Sequence, residues 1–152
     1  MKTQKITRIA IIAAIYTAVT ILLAPFSYGM VQVRVSEALT VLPFIFPESV
    51  IGLFLGCLIA NVYGGLGAID IVFGSLATLI AAYLTSKMPR TYLAPLPPVL
   101  VNAVVVGFIL KYVLGMPLFL SMLYVGLGQL VACYGLGLPL LYLLRKYNFT
   151  KF

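Results

Sequence analysis

Only three acidic residues occur among the 152 residues of this chain, against ten basic ones, so the acids mark the places where chemistry is possible. Glu37 and Asp70 each border a long apolar run, whereas Glu48 follows a proline between two runs and is expected to cap a helix. Ionisable groups beside or within apolar segments are expensive to keep there and usually serve a function. Because a carboxylate accepts strong hydrogen bonds from cationic and N–H groups, Glu37 and Asp70 are the first candidates for ligand binding.

Three further polar side chains in or beside the apolar stretches join these acids as candidate substrate-binding residues. They are Arg34, Asn61 and Gln129. Structural roles are open alternatives, because Glu37 and Asp70 both fall where a helix begins and can offset its dipole, and Arg34 can pair with either acid. Asn102 fits a hydrogen bond between helices, and Lys111 fits a side chain that extends toward the membrane interface.

The same sequence argues against a reaction centre. It contains no histidine, which removes the commonest metal ligand and general base. No metal-ligand spacing and no base–nucleophile pair is recognisable, so we expect no metal, no cofactor and no catalytic residues. The phosphate-loop pattern Gly-x-x-x-x-Gly-Lys-Ser/Thr is also absent, and the chain therefore cannot be an ATPase of that type by itself.

Composition defines the class of protein. The chain is 63% hydrophobic and only 9% charged, with a mean hydropathy of +1.16, which leaves too little polar surface for a water-facing shell. The net charge of +7 comes mostly from basic residues at the ends of apolar runs, so a nucleic-acid partner is not expected. We predict an all-α polytopic membrane protein that forms a single domain over residues 1–152 and lies in the lipid bilayer.

Positive charge is concentrated in three clusters, which indicate on which side of the membrane these parts of the chain lie. The clusters are Lys2, Lys5 and Arg8; Lys87 and Arg90; and Arg145, Lys146 and Lys151. Cytoplasmic loops of membrane proteins carry the excess of lysine and arginine. All three clusters, and with them both termini, are therefore predicted to be cytoplasmic, which requires an even number of crossings between one cluster and the next.

Six apolar segments meet this parity and predict a compact bundle of six transmembrane helices. They are residues 6–26, 35–46, 48–63, 70–85, 96–114 and 118–144. The stretch 35–63 is ambiguous, because two short spans turning at Pro47 or a re-entrant hairpin both preserve the parity. The alternation of apolar and polar residues over 31–35 predicts a short extended loop before it.

Three runs of sequence carry a family resemblance. They are VQVRVSEALTVLP at residues 31–43, GLFLGCLIAN at 52–61 and DIVFGSLATL at 70–79. Together, in this order, they resemble the QueT family of queuosine-precursor transporters, and the resemblance extends over essentially the whole chain.

The resemblance implies the substrate-binding component, or S component, of an energy-coupling factor transporter in the cell membrane. Such a component captures its substrate, here 7-aminomethyl-7-deazaguanine or a close relative, from the external side. It works with a transmembrane coupling subunit and two ATPase subunits. In these components an alanine stripe on the first helix contacts the coupling subunit, and Ala10, Ala14 and Ala18 match that stripe.

Two other functions remain open at this stage. The chain is a candidate S component for a different vitamin-like molecule, which would leave the architecture unchanged. A self-sufficient secondary transporter would need a polar relay through the inner half of the membrane, where Asn102 is the main candidate.

Overall fold

The computed structural model describes residues 2–28 and 32–147, and within them regular structure is entirely helical. The predicted all-α class is therefore confirmed. Lys151, which belongs to the third basic cluster, lies outside the described residues. Of the predicted extended loop over 31–35, residue 31 lies outside the described residues. Residues 32–34 are non-helical and Arg34 is extended, but Gln32 has a positive φ and Val35 begins a helix.

Seven α-helices and four tighter or wider helical segments follow one another. The α-helices are α1 (Lys2–Leu22), α2 (Ala24–Ser27), α3 (Ser49–Gly64), α4 (Ser75–Ser86), α5 (Leu96–Leu114), α6 (Leu118–Leu130) and α7 (Leu138–Lys146). Val35–Phe44 and Thr91–Leu93 are 3-10 helices, and Asp70–Gly74 and Val131–Gly137 are π-helical segments that lead into α4 and α7. Apart from Thr91–Leu93, these elements fall on the six predicted apolar segments, with ends that differ by a few residues.

Three of the six segments are long and apolar enough to cross a membrane. They are Lys2–Leu22, Thr91–Leu114 and Leu118–Lys146. The other three apolar helices, Val35–Phe44, Ser49–Gly64 and Asp70–Ser86, are shorter. Such helices belong to a membrane protein, and large hydrophobic side chains are accordingly exposed along them.

Glycines of α3, rather than the alanines of α1, allow these two helices to approach closely. A β-carbon at Gly52 would lie 2.7 Å from the carbonyl oxygen of Ile9, and one at Gly56 would lie 2.9 Å from that of Ala13. The Thr17 hydroxyl donates to the Gly56 carbonyl across the same contact at 3.0 Å. Small residues commonly permit such approach between membrane helices.

The predicted alanine stripe lies elsewhere on α1. Ala10, Ala14 and Ala18 are all exposed, whereas Ile12 and Tyr16 face the core of the bundle. The stripe is therefore an outward surface within the part of the chain that the structure describes.

Glu48 occupies the N-cap position of α3, but its side chain makes no capping hydrogen bond. It instead forms an ion pair with Arg8, whose Nη1 lies 2.8 Å from Oε1. Glu48 thus does not cap α3 as expected, but links α1 to the start of α3.

Candidate functional site

Two departures from α-helical geometry position the buried acids. Glu37 lies in the first turn of a ten-residue 3-10 helix, which is long for a conformation usually limited to three or four residues. Asp70 begins the π-helical segment before α4, and such segments occur frequently at functional sites. Both acids are only 1% exposed. Each acid lies in the first turn of its helical segment, so its position fits the helix-dipole alternative as well as ligand binding.

The carboxylate of Glu37 is held by neutral donors only. The Tyr16 hydroxyl donates to Oε1 at 2.5 Å, and Nδ2 of Asn102 donates to Oε2 at 3.2 Å. Among the described residues, no cationic group lies within the 4.0 Å limit of an ion pair with this carboxylate. An ionised carboxylate buried without a counter-charge is costly, so a cation beside Glu37 would stabilise its ionised form.

Arg34 has a different environment, next to the other acid. Its Nη1 donates to Oδ1 of Asn61 at 3.0 Å, and its Nε donates to the carbonyl of Ser27 at 3.3 Å. Its Nη2 lies 3.9 Å from Oδ2 of Asp70, which is an ion pair but too long for a hydrogen bond. The guanidinium also lies over the ring of Tyr28, 5.3 Å from its centre. Arg34 therefore lies within ion-pair distance of Asp70 but not of Glu37, although it lines the same cavity as Glu37.

Asp70 keeps both carboxylate oxygens available. Neither oxygen has a hydrogen-bond partner among the described residues, although Nδ2 of Asn61 donates to the Asp70 main-chain carbonyl at 3.1 Å. Gly74 provides the space for this arrangement, because a β-carbon there would lie 2.8 Å from Oδ1 of Asp70 and 2.9 Å from Nδ2 of Asn61. A buried carboxylate with free acceptor positions suits paired N–H donors.

A small polar cavity joins these groups. It is lined by Gln32, Arg34, Glu37, Gly74, Thr78, Asn102, Val106 and Gln129. Its volume of about 10 Å³ is room for roughly one water molecule. Arg34 both lines this cavity and contacts Asp70, so it connects the two acidic environments. A larger groove of about 410 Å³ lies on the surface of α5, but its lining is hydrophobic and aromatic and offers no matching chemistry.

The structure brings the five predicted side chains into two linked groups. Glu37 and Gln129 line the cavity, Asn61 and Asp70 lie behind Arg34, and Arg34 belongs to both groups. Their role in ligand binding stays a prediction.

Several cavity or contact residues were not selected from the sequence as ligand-binding residues. They are Tyr16, Gln32, Gly74, Thr78 and Asn102. Asn102 does make the expected hydrogen bond between helices, but it also faces the cavity. Tyr16 had a sequence signal, because it lies four residues before Thr20 and the two polar side chains therefore share a helix face. The structure buries both. Gln32 had none, because a polar residue in a loop is ordinary.

Comparison with known proteins gives two matches. A sequence model of the family described as QueT transporter matches residues 6–146. A curated relative from Lactococcus lactis subsp. cremoris, named Queuosine precursor transporter QueT, is 38% identical over 81 residues. That match covers 52% of this chain and 47% of the relative, so it spans about half the length of each. No solved structure matches the chain.

Proposed function

This chain belongs to the QueT transporter family, and from that membership we propose that it binds 7-aminomethyl-7-deazaguanine, or a close relative, for import into the cell. The chain is a membrane transport protein rather than an enzyme. In this proposal it is the S component of an energy-coupling factor transporter. A coupling subunit and two ATPase subunits supply the energy.

The observation that carries the proposed ligand is the charge balance of the buried site. Glu37 and Asp70 contribute two negative charges, and Arg34 contributes one positive charge. With both acids ionised, one negative charge is uncompensated, and burying it is costly. A monocationic ligand would neutralise the site, and the aminomethyl group of this deazaguanine is such a cation.

The two acids suit different parts of the ligand. Glu37, which has neutral partners only, suits the aminomethyl ammonium group. Asp70, whose two oxygens are free, suits the ring N–H and the exocyclic amine of the guanine edge. Asn61, Arg34 and Gln129 complete the wall of the site. Because the cavity is far smaller than a purine, binding requires the site to enlarge.

Mass spectrometry of small molecules released from the purified chain tests the ligand. We expect a deazaguanine bearing an aminomethyl group, and calorimetry with the synthetic compound should give one site per chain. Release of an unrelated vitamin-like molecule, with no binding of the deazaguanine, would instead make the chain an S component of another specificity.

The proposed topology has six spans with both termini in the cytoplasm. Two contacts support a common end of the bundle for the basic clusters. Arg145 donates to the hydroxyl of Thr91, which directly follows Arg90. Arg8 pairs with Glu48 at the turn before α3, where the parity argument requires the chain to return to the cytoplasmic side.

We expect a cysteine introduced by Met88→Cys to react with an impermeant reagent only after the cells are permeabilised. Background labelling should be low, because Cys57 and Cys133 are buried. Ala68→Cys, at an exposed position directly after the non-helical residues 65–67, is the matched control and should react in intact cells. Labelling of position 88 from outside would overturn the topology.

The exposed alanine stripe of α1 is the proposed contact with the coupling subunit. Ala14→Leu is expected to abolish assembly and transport, because the larger side chain obstructs close helix approach. Ligand binding by the isolated chain should stay within about twofold of wild type, since Ala14 is exposed and lies away from the cavity. Ile15→Leu, a volume-conserving change at an exposed position of the same helix, should leave both properties intact. Lost binding with normal assembly would contradict this role.

A further inference from the structure

Two buried amide side chains at the cavity each leave one polar atom without a partner. Gln32 is 3% exposed, and its Nε2 has no acceptor among the described residues. Asn102 is 2% exposed and donates through Nδ2 to Glu37, but its Oδ1 receives no hydrogen bond from the described part of the chain. Both side chains line the same cavity. The cavity therefore presents these two unused groups, beside Nη2 of Arg34, which also has no hydrogen-bond partner among the described residues.

The backbone of Gln32 gives an independent indication of function. Its φ of 37° is positive, which makes it the single such non-glycine residue in the described chain. L-residues rarely adopt this region, and backbone strain persists mostly at functional sites. A glycine would adopt the same conformation at little cost. Glutamine at this position is therefore explained by its side chain, whose amide faces the cavity.

We infer that Gln32 is a specificity-determining residue that donates its amide N–H to the ring carbonyl of the ligand. The inference rests on the proposed function and adds a contact to it. In the ligand, the aminomethyl group and the ring carbonyl occupy neighbouring positions, and the ring N–H follows. Gln32 lines the same cavity as Glu37 and Asn102, so its donor and the acceptors proposed for the ammonium group face one space.

This assignment predicts discrimination between guanine-type and adenine-type rings. A 2,6-diamino analogue replaces the carbonyl by an amine, so two donors would face each other at Gln32 and one would stay buried and unpaired. Arg34 also has an unpartnered donor, Nη2, but that nitrogen lies 3.9 Å from Oδ2 of Asp70 and its charge balances this acid. Gln32 is a neutral donor without a competing partner among the described residues.

Calorimetry with 7-aminomethyl-7-deazaguanine and its 2,6-diamino analogue tests the inference. Wild type should bind the carbonyl compound about a hundredfold or more tightly than the analogue, because the analogue mispairs its hydrogen-bonding groups with both Gln32 and Asp70. Gln32→Ala and Gln32→Gly should each reduce that preference by about tenfold. Gln32→Gly should melt at a higher temperature than Gln32→Ala, because glycine accepts the positive φ. Gln4→Ala, at an exposed glutamine of α1, should change neither quantity.

The outcomes separate this inference from the proposed function. An unchanged preference in both Gln32 variants, while the carbonyl compound still binds to wild type, would overturn the inference alone. Failure of wild type to bind the carbonyl compound would overturn the inference together with the proposed ligand.

Discussion

Glu37→Gln is expected to weaken binding of 7-aminomethyl-7-deazaguanine by about ten- to a hundredfold, because a hydrogen bond to a charged group contributes about 1.5–3 kcal/mol. The corresponding nitrile, which has no cation, should bind to this variant almost as it binds to wild type. The physical reason is that Glu37 has two neutral donors but no cationic partner among the described residues. Calorimetry with the two compounds measures the difference directly.

Glu48→Gln provides the matched control for this experiment. It makes the same chemical change at the remaining acid, which pairs with Arg8 away from the cavity. Affinity for both compounds should therefore be unchanged. If Glu37→Gln bound the amine as wild type does but melted at a lower temperature, Glu37 would be a structural residue that only organises Tyr16 and Asn102.

Asp70→Asn is expected to weaken binding of the amine and of the nitrile by the same factor, about ten- to a hundredfold. Both compounds share the guanine edge that Asp70 is proposed to bind, so the identity of the substituent should not matter. The replacement keeps the shape of the side chain but turns one acceptor into a donor that faces the N–H groups of the ligand. Equal loss for the two compounds distinguishes Asp70 from Glu37.

The same variant should also lose stability, because it leaves Arg34 as a buried cation without its carboxylate. Removing one partner of a buried ion pair costs about 3–5 kcal/mol, and the separation of 3.9 Å places this pair at the low end. Thermal unfolding in detergent measures the loss, and adding Arg34→Gln to Asp70→Asn should recover part of it. Wild-type stability and wild-type affinity in Asp70→Asn would together remove Asp70 from the site and from the pairing of Arg34.

The helical class and the positions of the six apolar segments were determined by the sequence itself. Hydrophobicity acts residue by residue along the chain, so a run of suitable length identifies a membrane helix wherever it packs. The same reasoning left residues 35–63 ambiguous, because segments of 10 and 16 residues are short for a span. The scarcity of polar side chains identified Glu37 and Asp70 as candidates.

The partners of those side chains were decided only by the tertiary structure. Sequence allowed Arg34 to pair with either acid, but the fold places it against Asp70 and Asn61 and leaves Glu37 to Tyr16 and Asn102. Glu37 and Asn102 are 65 residues apart, and no local pattern specifies such a contact.

Surface and cavity positions depended on the fold for the same reason. The sequence singled out Ala10, Ala14 and Ala18 of α1, but the close α1–α3 contact is made by Gly52 and Gly56 of α3. Gln32 lies in a short loop whose direction is set by a single backbone angle, φ of 37°. Whether that polar side chain faces lipid, water or the cavity depends on how the neighbouring helices confine the loop, and periodicity along the sequence does not contain that information.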